Sequence, residues 1–130
     1  MTEERTWRIE LPYVKPPLSL NDRMHWRKKS SITSALRSAT TLLLRAKRVP
    51  PLEYAVVRLE WVVPTRTRRD SDNPIATLKV CADALVDAGV LPDDTPQYVS
   101  KRETDIVYEK GSARLTFIVT GTPREEAPSD

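Results

Sequence analysis

The stretch from Tyr54 to Val63 constrains this chain most. Ala55, Val57, Leu59, Trp61 and Val63 fall on one side of an extended segment and Arg58 and Glu60 on the other. That two-residue period predicts a β-strand with one buried face, ended by Pro64. A strand of this kind must pack against something, and two helical patterns flank it. The first runs from a Ser30 or Ser31 cap to about Arg48, with Ile32, Ala35/Leu36, Ala39, Leu42/Leu43 and Ala46 as its apolar stripe. The second starts at an Asp72 or Asn73 cap with Pro74 in its first turn. It buries Ile75, Leu78, Ala82 and Leu85, and Gly89 follows as the residue beyond the end.

Trp7, Ile9 and Leu11 alternate with Arg8 and Glu10 as a short first strand. Two further strands are expected near Tyr98 to Val107 and Ala113 to Thr120. The order β-α-β-α-β-β predicts an α+β fold, one small domain with a mixed sheet packed against two helices. The domain is expected over residues 1–120. The tail 121–130, GTPREEAPSD, has little to bury and is expected to be disordered.

A chain of 130 residues can bury a core without staples. Its single cysteine, Cys81, excludes an internal disulfide and suits a reducing compartment. No run approaches the ~20 apolar residues of a membrane span, and MTEERTWRIE does not read as a signal peptide. A soluble cytoplasmic protein, with no membrane partner, is the expectation. The net charge of +3 is unevenly spread. Eight Lys/Arg residues between Asn21 and Arg48 face one acid, Asp22, an imbalance that favours a polyanion. Within it Asn21, Arg23, His25, Trp26, Arg27 and Lys28 mix polar, cationic and aromatic groups in the manner of a nucleic-acid surface.

The segment RRDSDNPIATLK, residues 68–79, carries the chemistry. Asp70 and Asp72, two apart in an extended segment, point the same way and can share one hard cation. Asp before a helix is also a common N-cap, so the pair alone reads as capping more often than as metal binding. Arg66, Arg68 and Arg69 surround it and suit phosphate contacts, which position DNA without reading it. Lys79, close to two turns after Asp72, leans back toward the helix start. Asp93 and Asp94 supply a third carboxylate, or an ordinary turn. There is no G-x-x-x-x-G-K-[ST] loop and, with three glycines, no dinucleotide fingerprint, so no nucleotide cofactor is expected. One histidine and one cysteine argue against zinc. A nucleotidyltransferase also uses an Asp pair, but T-R-T-R-R stands where its Gly-Ser turn belongs.

The run D-S-D-N with Lys79, Asp83-Ala-Leu, Gly89, Asp93-Asp94 and the early P-P-L-S-L-N-D-R resembles the RusA family of Holliday junction resolvases, especially its phage and prophage branch. The resemblance spans about residues 7–120. It implies a homodimer active in a bacterial or phage-infected cell, dependent on Mg²⁺ (or Mn²⁺), that resolves four-way DNA junctions by paired symmetric nicks. It further implies Asp70, Asp72 and Asp94 as metal ligands and Lys79 as the supporting catalytic cation. The Asn73–Lys79 interval is three residues longer than in the shortest family members. One alternative is a branched-DNA or duplex-binding module whose acidic cluster is structural. Geometry sets a further expectation. A helix from Pro74 to Ala88 is ~22 Å long, and the six residues after it reach ~20 Å. Asp94 therefore meets Asp70 only if the helix is shorter or broken, or if two subunits complete each other's sites.

Overall fold

The fold is organised around β2 (Leu52–Val63), whose alternation does what its sequence demands. Ala55, Val57 and Leu59 are fully buried on one face, while Arg58 and Glu60 are half-buried on the other. The computed structural model describes residues 3–20, 23–71 and 73–124. One edge of β2 pairs antiparallel with β5 (Arg114–Pro123) along nearly its whole length. The other edge pairs parallel with β3 (Val99–Lys101) and then β4 (Asp105–Tyr108). β1 (Arg5–Glu10) adds antiparallel to β5, giving the order β1-β5-β2-β3 with β4 also beside β2.

The two helices, α1 (Trp26–Ala46) and α2 (Ile75–Asp87), cover one face of this mixed sheet. Leu36 and Leu44 of α1 and Leu78, Cys81 and Leu85 of α2 share one core with Ile9, Val57, Leu59, Leu115 and Phe117. Arg37 also ties the helices outside the core, donating to both carboxylate oxygens of Asp87 at 2.5 and 2.9 Å. The opposite sheet face carries no helix residue of that core. There the Arg8–Glu60 pair (2.5 Å) and the Arg58–Asp105 pair (2.8 Å) cross the strands. The α+β class and the single domain are as the sequence predicts.

Four local expectations are corrected. The strand expected over Tyr98 to Val107 is two strands. Pairing runs Val57↔Lys101 and resumes at Glu60↔Asp105, three steps on β2 against four opposite it. The extra residue sits in Arg102–Thr104, where the Arg102 amide still bonds the Val57 carbonyl (2.8 Å) and Thr104 is buried. Second, α1 starts at Trp26, ahead of Ser30 and Ser31. His25 caps it, its Nδ1 accepting the Arg27 amide at 3.2 Å. Third, the buried face of α1 is rotated: Leu42 is 64% exposed and Ala46 is exposed, while Thr40 and Thr41 are buried. Their hydroxyls donate to the Leu36 and Arg37 carbonyls (2.7 and 2.8 Å), so burial leaves no polar group unsatisfied. Fourth, β5 continues through Pro123, past the expected boundary at 120, and Arg124 bonds Pro51. The rest of the tail, 125–130, lies outside the described residues.

Two glycines have physical reasons. Gly89 ends α2 at a φ of 78°. Gly121 lies where β2 and β5 lose register between Leu52 and Ala55, and a Cβ there would sit 2.4 Å from the Tyr54 carbonyl oxygen. Gly121→Ala should therefore destabilise the domain by about 1–3 kcal/mol, measurable by urea unfolding. Wild-type stability in that variant would contradict this packing of β5 on β2.

Candidate functional site

Trp61, the core-facing residue of β2 after Leu59, is half-buried and lines a cleft of about 780 Å³. One wall is the proline-rich segment of the β1–α1 connection, through Lys15, Pro16, Pro17 and Ser19. The other is the β2–α2 connection, through Arg68, Arg69, Asp70, Asn73 and Pro74. The cleft therefore sits at the carboxyl end of β2, where the chain leaves for the crossover helix, a position that often carries sites in βαβ units.

Both walls are pinned. The Thr77 hydroxyl donates to the Leu18 carbonyl (2.7 Å) and accepts the Leu18 amide (3.1 Å), fully buried. The Leu20 amide donates to the Asn73 carbonyl at 3.1 Å, a second clasp between the segments. Arg69 is spent on structure. Its guanidinium donates to the Thr65 and Thr67 carbonyls (2.9 Å each) and to Thr65 Oγ1 (3.0 Å), and lies 5.5 Å from the Trp61 ring centre. Arg66 stacks over Tyr108 at 4.4 Å. Arg68 lines the cleft with Asp70, both exposed.

The acidic residues divide between two places. Asp70 belongs to the cleft. Next to it the Ser71 hydroxyl donates to Glu103, which stands in the extra loop between β3 and β4. Asp72 lies outside the described residues, as does Asn21. α2 begins at Ile75 with Pro74 at its cap and no side-chain capping bond, so Asn73 is not its cap. Asp94 instead shares a hydrogen bond with Asp83 of α2, about 12 Å along the axis from the helix start. The return expected after α2 thus reaches mid-helix. Among the described residues, no group of three or more His, Cys, Asp or Glu side chains is placed to hold a metal ion. The donors at the Asp70 turn are nonetheless all oxygen, the type a hard cation takes.

Burial, then the bond to and charge of Asp94, push the Asp83 carboxyl up, against the opposing pull of Arg37 and Lys79. The bond from Asp83, and then Lys101, hold Asp94 below the ordinary carboxylate range. The two carboxyls thus titrate as a pair, in two separated steps. Asp94 contributes stability above its unfolded pKa that is lost as pH falls through its folded value. Asp83 contributes below its unfolded pKa and loses that as pH rises through its folded value. Lys79 is exposed on α2, and its charge acts on Asp83.

The basic segment is open. Arg23, His25, Arg27 and Lys28 are exposed, and Trp26 is 67% exposed. His25 stacks on Trp26 with centroids 5.7 Å apart, and Arg27 lies 5.2 Å over the indole. Met24, beside them, lines the cleft, so this surface adjoins it. Sequence reasoning missed Lys15, Ser19 and Met24 as residues lining the cleft with Asp70, and Glu103 as the partner of Ser71, and it read Trp61 only as strand core. Only Lys15 carried a signal, a cation beside a rigid Pro-Pro pair. No protein-family model and no curated protein matches the sequence.

Thr77→Val keeps side-chain shape and removes both bonds to Leu18. It should cost about 2 kcal/mol by leaving buried backbone groups unpaired, read as a lower urea midpoint. An unchanged midpoint would contradict the clasp. Asp94→Asn should lower the Asp83 titration, followed by carbon-13 NMR. An unmoved Asp83 would show that Asp94 does not set the Asp83 titration.

Proposed function

We propose that this chain is a metal-dependent endodeoxyribonuclease that resolves four-way DNA junctions by paired symmetric nicks. The observation that carries the reading is the cleft at the end of β2, where Asp70 stands among Arg68 and Lys15 beside an exposed basic and aromatic surface. Its sequence support is the resemblance to RusA resolvases. A duplex arm lies along Arg23, Arg27 and Lys28, which contact phosphates, while His25 and Trp26 offer ring faces. Arg68 and Lys15 hold the phosphate to be cut. Arg69 braces the wall, and Arg66 packs over Tyr108.

Asp70 and Asp72 would hold Mg²⁺ (or Mn²⁺); the resemblance implies Asp94 as a third ligand, whereas in this fold it is paired with Asp83. When bound, such an ion lowers the pKa of an attacking water and offsets charge on the phosphate and leaving oxygen. Glu103, through Ser71, steadies the turn that bears Asp70. Lys79 is the supporting cation of the resemblance; on α2 it faces Asp83 and stands ready to balance the acidic pair. Paired nicks call for two such sites, which a two-fold homodimer supplies. A second reading, a branched-DNA-binding module without catalysis, is favoured by one observation: the Asp94 carboxylate is already engaged by Asp83.

Asp70→Asn should bind a synthetic junction as tightly as the unaltered chain and nick it at least ~10²-fold more slowly. Undiminished nicking would remove Asp70 from the chemistry. Arg27→Glu should weaken junction binding and lower the slope of log affinity against log salt by about one. An unchanged slope would take that helix start off the DNA surface.

A further inference from the structure

We propose that the cleft over Trp61 receives a single unstacked nucleobase from DNA held beside Asp70. This rests on the nuclease reading above and extends it to how the substrate is chosen. A phosphate backbone asks only for cations on an open surface, and Arg23, Arg27 and Lys28 meet that need without any hollow. The cleft is built differently. It is an open cleft of about 780 Å³, and Trp61, Met24, Pro16 and Pro17 give it apolar surface. Lys15, Ser19, Arg68 and Asn73 add polar groups around the same space. Apolar faces with a few placed polar groups suit a flat heterocycle with polar edges, and the volume lies in the range of small-ligand sites.

The floor is braced by hydrogen bonds. The Arg69 guanidinium lies 5.5 Å from the Trp61 ring centre, and three hydrogen bonds fasten it to Thr65 and Thr67. An indole and a guanidinium in the lining of one cleft offer flat groups, and a flat group is what a base stacks on. Asn73 is set by its neighbours: its amide donates to the Asp70 carbonyl (3.3 Å) and its carbonyl accepts from Leu20 (3.1 Å). Its side-chain amide brings a donor and an acceptor to one wall, enough to contact a base edge. Asp70 lies in that same wall, so a base in the cleft brings its own phosphate to the carboxylate.

Extruding a base costs least where stacking is already interrupted. A branch point offers that interruption and a continuous duplex does not. The cleft therefore selects junctions by what can enter it, and the cations outside bind either form.

The test uses the full chain carrying Asp70→Asn, so that bound DNA stays whole. A four-way junction is made with 5-iodouracil at each position flanking the branch point, and as a control in mid-arm. After irradiation the cross-linked peptides are sequenced by mass spectrometry, with binding followed by gel shift in the same samples. Labelling of Trp61 or Met24 from a branch-point position, above the mid-arm control, is the expected result. Labelling of Trp26 alone, or none above control although the junction is bound, would overturn the cleft assignment and leave the nuclease reading standing. No shift with any DNA would overturn both. Trp61→Ala should also reduce the junction-over-duplex preference about tenfold. An unchanged preference in a folded variant would count against the stack.

Discussion

β2 is hydrogen-bonded along both edges, antiparallel to β5 on one side and parallel to β3 and β4 on the other. The parallel side is the constraint on which the rest depends. A chain leaving the end of β2 cannot turn straight back to pair in parallel; it must cross over through α2. That crossover places the arginine- and aspartate-bearing connection at the carboxyl end of the strand. It also brings the start of α2 to the same end. The cleft is what this geometry leaves between the connection and the proline-rich segment before α1.

Loops alone make poor site walls, because their backbone is free to move. Here a buried hydroxyl and a guanidinium remove much of that freedom. Thr77 holds the Leu18 backbone from α2, and Arg69 closes the Thr65–Thr67 loop on Trp61. Arg69 thus braces the wall that it also lines. Lys15, Arg68 and Arg69 are the cations lining the space beside Asp70.

Much of this architecture was legible because it is periodic. The apolar row of β2, the last strand and the second helix follow from spacing alone, and the segment around Asp70 announced itself by its charge. What escaped was what periodicity does not encode. The buried face of α1 includes Thr40 and Thr41, polar in a sequence yet satisfied by their own helix. His25 is an unusual cap, and the prolines before it concealed where the helix begins. A single extra residue splits the strand after Tyr98, a count that only the partner strand makes visible. The pairing of Asp94 with Asp83, and of Ser71 with Glu103, joins segments distant in the chain. Among the described residues no helix is long and apolar enough to cross a membrane, as the hydropathy predicts.

The central question is whether the cleft at the end of β2 cuts branched DNA. The direct measurement is to incubate the protein with an end-labelled four-way junction and a matched linear duplex, with Mg²⁺ and with EDTA, and to map the breaks. Paired nicks on opposed strands near the branch point, present with Mg²⁺ and absent with EDTA or on the duplex, are predicted. A junction that is bound tightly and never cut would contradict the account and leave the Asp70 turn as scaffold in a binding protein.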